Sequence, residues 1–474
     1  MAMRCTKKFS YGQVMPLTAI LLGLVALSAI FLYNSNIVVT ERIKLQNTAD
    51  AAAYSGATMD ARYLNFMAYS NRAMIADHVL TAQAIGIASE GKLLKNIGDR
   101  IKPILGKIPY YGQYVNAVAA GLNYYSTGLD YTANIEIPAL NLITNLISAA
   151  QQGFRVAYPL ASSSLIEKII SANDKKADLS TTVATGHSAD LALFLENYSP
   201  NNANSGENKT RTNEFFDITM KSRNIFTSAR SGGWTGDAID VLNNMPLTVI
   251  QYDLRKYGGT DMSNGSSGPK NATKYKTWAA MDTLSLYTRH YKFSWTKGFY
   301  WSGWSESYPL GAGSGTAGKN YNLANDKSGN LYGNGAWRNS TAGGFASSNK
   351  LQNNNYDGLL PFVDLKAKGR IDVAPAIFVV VSKKEDDIST TRTLGVAQDS
   401  LDIAEQGSYR KNGQSSLAKG RSYFSRPQDI ETSLRSTTGI KREFGNLYNP
   451  FWLPKLDRAK LSESEAMFAL ARGT

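Results

Sequence analysis

The sequence contains little of the side-chain chemistry that builds disulfides, metal sites and many catalytic centres. Cys5 is the only cysteine among 474 residues, so the chain cannot form an internal disulfide. The only histidines are His78, His187 and His290, and none has a second histidine or cysteine nearby at the spacing of a zinc site. We interpret each as an ordinary surface or core residue, and we expect a hydrophobic core with no metal and no cofactor.

Catalytic and phosphate-binding motifs are also missing. The sequence has no G-x-S-x-G nucleophile elbow. Residues 186–190, GHSAD, place serine, histidine and aspartate side by side, which is not how a catalytic triad is assembled, and the segment is typical of a helix start. Residues 311–318, GAGSGTAG, are as glycine-rich as a phosphate-binding loop, but no helical pattern follows them, so we predict a flexible loop. We expect neither an enzyme nor a small-molecule substrate.

Two segments, residues 178–182 and 387–391, match the D-x-S-x-[ST] pattern of a von Willebrand A metal site. That pattern normally follows a buried apolar strand directly. Here the first segment follows the polar sequence KKA, and five residues separate the second from the apolar run AIFVVV at 376–381. We therefore interpret neither segment as a metal site.

No long run of like charge is present. The 51 lysines and arginines outnumber the 38 acidic residues and give a net charge of +13, but no five basic residues are consecutive. Such scattered charge indicates a solvated surface and does not predict nucleic-acid binding. Its sign is compatible with acidic surroundings such as lipid head groups, cell-wall polymers or acidic protein surfaces.

One stretch lacks charge altogether. Residues 14–33, VMPLTAILLGLVALSAIFLY, form an uncharged apolar run, and a helix of that length spans the roughly 30 Å hydrocarbon core of a bilayer. No second run approaches this length, and the whole chain is 43% hydrophobic and 19% charged. The sequence therefore predicts one transmembrane helix and a large polar ectodomain.

The charges around the span predict its orientation. Basic residues precede it, whereas the charges that follow nearly cancel; they are Arg4, Lys7 and Lys8, then Glu41, Arg42 and Lys44. The positive-inside rule then places residues 1–13 in the cytoplasm. A cleaved signal peptide is the competing interpretation, but its apolar region usually has about 7–15 residues, and residues 26–28 are a poor cleavage site. We expect a retained, single-pass anchor.

A second helical pattern follows the span directly and makes residues 34–97 a long amphipathic helix. Seven residues of this helix follow one another at alternating steps of four and three and so form one stripe. Asp50, Asp60, Arg62 and Arg72 lie on other faces. The stripe consists of Leu45, Ala49, Ala52, Gly56, Met59, Tyr63 and Phe66. Its small first half allows close approach of another backbone, either from a partner protein or from residues 98–200. We predict helix breaks near Pro16 and near Gly86 or Gly91.

The rest of the chain changes from helical to strand-like character. Residues 98–245 have mainly helical spacing, with one helical stretch predicted over 135–170 and another over 177–198. Pro138 is predicted to mark the first turn of the first stretch and Pro159 a boundary within it. Residues 246–474 are richer in β-branched and aromatic residues, which predicts strands. The predicted strands lie at 246–254, 278–310, 376–381 and 421–425, and residues 311–358 are predicted as Gly/Asn/Ser-rich loops. This order predicts an α+β fold.

Aromatic residues cluster in one of the predicted strand segments; they are Trp295, Tyr300, Trp301, Trp304 and Tyr308. We predict that alternate members fill a core between strands. An exposed rim that binds a protein or a sugar is the alternative.

The N-terminal sequence resembles that of TadG-like Flp pilus-assembly proteins. These have a Gly-Gln before the apolar helix and an L-Q-N-x-A-D-A-A-A box after it. Here the box is matched by Leu45, Gln46, Asn47, Ala49, Asp50, Ala51, Ala52 and Ala53. The following ARYLNFMAYSNRAMIADHV and the C-terminal NLYNPFWLPKL are similar to one branch of these proteins. The resemblance covers about the first 80 residues and a short C-terminal piece.

This sequence differs from the family pattern at two points, and both limit the function that the resemblance implies. Type IV pilins usually carry a glutamate at the fifth position of the mature apolar helix, where this chain has Leu17, so polymerisation through that residue is not expected. Many TadG-like proteins also have a von Willebrand A domain, which we do not find. The resemblance thus implies a structural or assembly component of a tight-adherence pilus or related secretion machine. It would lie in the bacterial inner membrane, with a periplasmic ectodomain that packs its helices with other pilus-assembly or pilin-like proteins. The alternative is an exported pilin-like minor subunit or adhesin.

Overall fold

The computed structural model describes residues 14–200, 203, 205–230, 232–233, 239–240, 243–245, 249–262, 275–318, 339–346, 348–366, 371–390, 413–426 and 443–472. It has the predicted α+β architecture, with the long helices first and most strands later in the chain. The described helices are α1 (Val14–Leu105), α2 (Gly112–Asn173), α3 (Thr181–Phe194), α4 (Gly206–Lys221), α5 (Ile225–Ser228), α6 (Ser340–Gly343) and α7 (Leu461–Arg472).

The strands form three sheets. The strands are β1 (Ala177–Leu179), β2 (Leu195–Tyr198), β3 (Gly232–Gly233), β4 (Ile250–Met262), β5 (Trp278–Ser294), β6 (Gly298–Trp301), β7 (Ser305–Ala317), β8 (Lys350–Asn353), β9 (Phe362–Leu365), β10 (Val373–Lys384), β11 (Gly413–Phe424) and β12 (Trp452–Asp457). One sheet has the order β1-β10-β11-β12, a second has β3-β4-β5-β7-β8 with β6 on β5, and β2 pairs with β9. The strands predicted at 278–310, 376–381 and 421–425 are confirmed.

The chain forms two compact units. Unit 1 contains residues up to 68, residues 154–196 and residues from 365 onward, and unit 2 contains residues 69–153 and 197–364. Each unit therefore takes part of α1, part of α2 and one of the two larger sheets.

Helix α1 is continuous, so the predicted breaks are wrong. Pro16 lies in the first turn of α1, where the N–H that proline lacks would have no partner within the helix. Gly86 and Gly91 are both helical. Neighbouring side chains occupy the space that a side chain at either position would need. A Cβ at Gly86 would lie 2.7 Å from the Arg230 guanidinium, and one at Gly91 would lie 2.7 Å from the Leu129 side chain. These glycines permit close packing in unit 2.

Helix α2 is also continuous, so Pro138 does not lie in a first turn and Pro159 does not mark a boundary within the helix. Each proline removes one helical hydrogen bond, which packing along the helix compensates. Next to Pro159, for example, Tyr158 is buried and stacks on Tyr63 at 4.1 Å between ring centroids.

The single helix predicted over 177–198 is replaced by β1, α3 and β2. Ala177 and Leu179 pair with Lys383 and Val381 of β10 in an antiparallel ladder. This distant strand supplies hydrogen bonds that local periodicity does not reveal. Residues 186–190 lie inside α3 and do not begin it.

The sheet of unit 1 is covered on both faces. Alternate residues of β10 point to opposite faces, and each set packs into a different cluster. Ile377, Val379 and Val381 contribute to a buried cluster with α1 and α2. Val380 contributes to another cluster, with Ala471 of α7. Burial on both sides explains why AIFVVV is a continuous apolar run.

In unit 2, α1 and α2 pack as an antiparallel pair. Ser70 on α1 bonds with Gln151 on α2 at 2.6 Å, and Lys92 further along α1 pairs with Asp130. Higher numbers on α1 thus face lower numbers on α2. This pair supports the sheet of unit 2.

The glycine-rich segment 311–318, predicted as a flexible loop, instead forms most of the second half of β7. Its glycines allow the backbone of α1 to lie directly on the sheet. A Cβ at Gly313 would lie 2.2 Å from the Leu93 nitrogen, and one at Gly315 would lie 2.7 Å from the Ile85 side chain. The segment is glycine-rich because it packs backbone to backbone, which is a known use of glycine in strands.

Candidate membrane anchor and helix-docking site

The apolar start of α1 is exposed. An 18-residue apolar window of this helix is long enough to cross a membrane, and none of it is buried. Burial begins at Asn34, which is 1% exposed, and α1 continues from there into unit 1 without a loop. The segment 14–33 is therefore apolar and helical, and none of its residues is buried by the described parts of the chain.

The L-Q-N-x-A-D-A-A-A box packs into the core of unit 1. Leu45, Ala49, Ala52 and Ala53 are each at most 1% exposed. They share a cluster with Ile166 and Ile170 of α2, Ile377, Val379 and Val381 of β10, and Ala418 of β11. The remaining box members lie toward the edge of this contact: Gln46, Asp50 and Ala51 are half-buried and Asn47 is exposed.

Strand β11 runs alongside the box and continues past it. Gln46 Nε2 donates to the Leu417 carbonyl at 3.2 Å, and Ser422 Oγ donates to the Ala57 carbonyl at 2.8 Å. Eleven residues of helix and five of strand both advance about 16 Å. Helix and strand therefore point in the same direction and remain in step over this distance.

Small residues make this contact close. A Cβ at Gly420, midway along the contact, would lie 2.2 Å from the Ala53 carbonyl oxygen. Glycine on the strand and alanine on the helix thus bring the two backbones together. This use of small residues explains why three consecutive alanines occupy the end of the box.

The rest of the candidate helix-packing seam also faces the chain's own core. A Cβ at Gly56 would lie 2.9 Å from Ile377 Cδ1 and 3.3 Å from Ile166 Cδ1. Met59 is half-buried, and Tyr63 is buried against the ring of Tyr158. The packing partners that the structure gives this seam are therefore α2 and the sheet of unit 1.

A buried polar cluster lies beside the seam, and the sequence analysis missed it. Asp60, placed by periodicity on another face of the helix, is fully buried and forms an ion pair with His187 Nε2 at 3.0 Å. It also accepts a hydrogen bond from the Tyr158 hydroxyl. His187 Nδ1 lies 3.3 Å from the Ala376 carbonyl oxygen. The cluster ties α1, α2, α3 and β10 together.

The charge of Asp60 controls the protonation of its neighbours. Burial alone would lower the pKa of His187, but the hydrogen bond to Asp60, its negative charge and the Ala376 carbonyl together raise this pKa above its usual value. Burial and the same carboxylate raise the pKa of Tyr158. The cluster therefore favours a protonated histidine and a neutral tyrosine, and all three side chains are buried.

A second charged cluster lies closer to the apolar segment. Lys383 Nζ on β10 lies 2.7 Å from Glu41 Oε2 and 2.9 Å from Asp174 Oδ2. Burial opposes ionisation of both carboxyl groups, but their hydrogen bonds to Lys383 lower the pKa of each. The cluster fixes α1 against β10 shortly after the helix enters unit 1.

The C-terminal NLYNPFWLPKL closes the sheet of unit 1. Asn65 Nδ2 donates to the Trp452 carbonyl at 2.9 Å, and the Trp452 N–H donates to Asn65 Oδ1 at 3.0 Å. Trp452 is 1% exposed, and its indole N–H donates to the Asn446 carbonyl. The segment that resembles the family's closing sequence therefore docks on α1.

The two D-x-S-x-[ST] segments do not come together at a metal-like site. Asp178 is exposed on β1, and Asp387 lies 3.6 Å from Lys176 Nζ. Residue 391 lies outside the described residues. Across the described parts of the chain, no group of three or more His, Cys, Asp or Glu side chains has the arrangement of a metal site.

The aromatic cluster is on the surface, so the predicted core packing is wrong. Trp295 is 95% exposed at the turn between β5 and β6, and Tyr308 is 61% exposed. Tyr300, Trp301 and Trp304 are each only half-buried. Trp295 and Tyr308 are thus open to solvent, whereas the Arg255 guanidinium of β4 lies 5.5 Å from the centroid of the Trp304 ring.

The fold and this site define an α+β protein whose first helix extends from an uncovered apolar segment into a folded core. Residues 12–59 match the family model described as putative Flp pilus-assembly TadE/G-like. The match confirms the resemblance inferred from the box and associates the chain with Flp pilus assembly. No curated protein and no solved structure matches the chain.

Proposed function

We propose that this chain is a membrane-anchored structural component of a tight-adherence, Flp-type pilus or a related secretion machine. Residues 14–33 hold it in the bacterial inner membrane, residues 1–13 lie in the cytoplasm, and the chain from residue 34 onward lies in the periplasm. It acts by scaffolding other pilus-assembly or pilin-like proteins and catalyses no reaction.

The continuity of α1 is the observation that carries this proposal. Within the segment matched by the family model, α1 extends from the exposed apolar residues after Val14 into the core of unit 1, with no loop between. The same helix is therefore suited both to crossing a bilayer and to holding the ectodomain. The basic residues before the span support the orientation.

We assign the contacts with other proteins to the transmembrane span, residues 14–33, because the helix-packing seam already packs within unit 1. Gly23 has no atom within 4 Å of an added Cβ, and it lies four residues after Ala19. Small residues at that spacing allow transmembrane helices to approach closely. The span thus retains an open face, whereas Gly56 does not.

Two glycine substitutions test this division. We expect Gly56→Leu to lower the thermal stability of the full chain in detergent, because its Cβ meets Ile377 and Ile166. Gly23→Leu should leave stability unchanged but reduce piliation in a host that assembles Flp pili. Val25→Leu in the same span serves as the control. Normal piliation with Gly23→Leu would exclude close helix packing at this position.

Fractionation tests the anchor itself. The tagged full-length chain should remain in the inner membrane after alkaline extraction, and its C-terminus should be accessible to protease only from the periplasmic side. Replacing residues 14–33 with a cleavable leader should release the ectodomain and abolish piliation. Retained piliation after release would contradict the anchored role.

The exported minor subunit is the second candidate, and the exposed aromatic hairpin around Trp295 favours it. It requires the chain to be present in sheared surface fibres, with residues 1–12 removed. Detection of that species by mass spectrometry would replace the anchored scaffold with a fibre component.

A further inference from the structure

The outer face of α2 in unit 2 lacks charge. Between Gly112 and residue 153, 23 residues of this helix are exposed, and none of them is Asp, Glu, Lys or Arg. At the chain's overall 19% charged residues, about four would be expected. The only charged residues of this part of α2 are Asp130, which pairs with Lys92, and Glu136, and both are partly buried. A solvated helix face normally carries charge, so this face has the composition of a covered surface.

The exposed residues include an uninterrupted heptad seam. Twelve exposed positions follow one another at alternating steps of four and three, over a helix length of about 59 Å. They are Tyr114, Val118, Gly121, Tyr125, Gly128, Thr132, Ile135, Ala139, Leu142, Leu146, Ala149 and Gly153. This period of 3.5 residues is the one at which a second helix packs in a left-handed coiled coil.

We propose that this seam binds the same seam of a second copy of the chain, with the two α2 helices antiparallel. In an antiparallel coiled coil, each a position faces a d position of the partner. With the two-fold axis between residues 133 and 134, every seam residue meets another seam residue, because each facing pair sums to 267. The proposal does not depend on the pilus assignment.

Three of the six layers pair a larger side chain with a small one: Tyr114 meets Gly153, Val118 meets Ala149 and Gly121 meets Leu146. The other layers are Gly128 with Ala139, Thr132 with Ile135, and Tyr125 with Leu142, the last of which holds two large side chains. Among the described residues, and apart from the adjoining backbone of α2 itself, nothing lies within 4 Å of a Cβ added at Gly121, Gly128 or Gly153. A two-fold interface must be complementary to itself, and the three layers that pair a larger with a small side chain meet that condition. A parallel pair would instead place Tyr on Tyr and Gly on Gly.

Charge and extent also favour a second copy. The net charge of +13 opposes self-association elsewhere on the surface, but this face carries none of it. A standard protein interface uses roughly 20–30 residues on each side, and this face exposes 23. A second copy supplies, by symmetry, an equally long uncharged helix.

Disulfide trapping tests the register in the full-length chain. In a Cys5→Ser background, one tagged copy carries Tyr114→Cys and a differently tagged copy carries Gly153→Cys, and the two are co-expressed in membranes. We expect the mixed 114–153 disulfide to exceed either same-site disulfide at least tenfold. Lys209→Cys, on the exposed surface of α4, gives the background. A dominant 114–114 species, or cross-linking no stronger than the Lys209→Cys background, would overturn the antiparallel pair.

A matched pair of substitutions tests the energetics. Ala139 is on the seam and Ala120 is exposed on the same helix away from it. Ala139→Glu should weaken dimerisation of the full chain in detergent at least tenfold, measured by light scattering across a dilution series, and Ala120→Glu should change it less than twofold. Both variants should keep the wild-type circular dichroism. If Ala139→Glu leaves dimerisation intact, or if it lowers only binding to anionic lipid vesicles, the face has another occupant and the proposal fails.

Discussion

Asn65 on α1 and Trp452 on β12 exchange two hydrogen bonds, one in each direction, between the Asn65 amide and the Trp452 backbone. The asparagine side chain thus pairs with the backbone of β12 by two hydrogen bonds, as a residue of a neighbouring strand would. It connects the helix that follows the box with the strand that ends the sheet of unit 1.

The first prediction concerns this pair. Asn65→Leu should lower the free energy of unfolding by about 2–4 kcal/mol, because the N–H and C=O of Trp452 each lose a partner. Thermal unfolding of the full chain in detergent, followed by circular dichroism, provides the measurement. Asn47→Leu, at an exposed position of the same helix, should have little effect. Equal effects of the two substitutions would show that the Asn65 bonds do not stabilise the fold.

The second prediction concerns Gly313 in β7. Gly313→Ala should be severely destabilising, by about 3 kcal/mol or more, because its Cβ would lie 2.2 Å from backbone atoms of both Ser89 and Leu93 and α1 would have to shift. Gly303→Ala is the control, because its Cβ meets nothing within 4 Å. A chain with Gly313→Ala that melts like the Gly303→Ala chain would disprove close backbone packing here.

The third prediction concerns pH and His78. This side chain is fully buried in unit 2, with its Nδ1 2.9 Å from the Tyr356 hydroxyl, and burial lowers its pKa to about 3. The unfolded chain binds a proton at this residue below about pH 6.5, whereas the folded chain does not. Stability from His78 is therefore present above pH 6.5 and falls as the pH decreases toward 3. His78→Gln should reduce this acid-side slope, measured by urea unfolding at several pH values, and an unchanged slope would contradict the assignment.

The fourth prediction has the opposite sign. Because Asp60 raises the pKa of His187, the folded chain holds its proton more tightly than the unfolded chain. The resulting stability is complete below the unfolded value of about 6.5 and is lost as the pH rises through the folded pKa. His187→Gln should therefore destabilise the chain more at pH 6 than at pH 9.

Asp60→Asn should remove the same pH dependence, since it removes the charge that raises this pKa. Urea unfolding of the three chains at pH 6 and pH 9 provides the measurement. A His187→Gln effect that is larger at pH 9 would show that burial outweighs the ion pair.

The sequence predicted those parts of the fold that depend on local pattern. The seam from Leu45 to Tyr63 was recognisable because its period is helical, and AIFVVV because it is a short apolar run. Ile166, which packs on the seam, lies within residues 98–200, one of the two partners considered for it. The contact with Ile377 was not predictable, since that residue lies more than three hundred residues away along the chain. The candidate anchor was visible from composition alone.

Several of the errors share one physical cause, which is long-range packing that overrides local preference. Residues 311–318 look like a loop because glycine has low strand propensity, yet α1 needs that bare strand for close approach. Residues 177–179 join a strand because β10 supplies their hydrogen bonds. Periodicity placed Asp60 only on a face other than the seam and could not reveal its burial, because its partner His187 lies 127 residues later.

The parallel course of α1 and β11 has a mechanical consequence. A pull along the axis of the apolar segment loads the Gln46, Ala53 and Ala57 contacts in shear, because the strand runs alongside the helix. Contacts loaded in shear must break together, whereas contacts loaded end-on can be peeled apart one at a time. The same alanines that look like a simple packing motif therefore make the junction between the apolar segment and unit 1 resistant to tension.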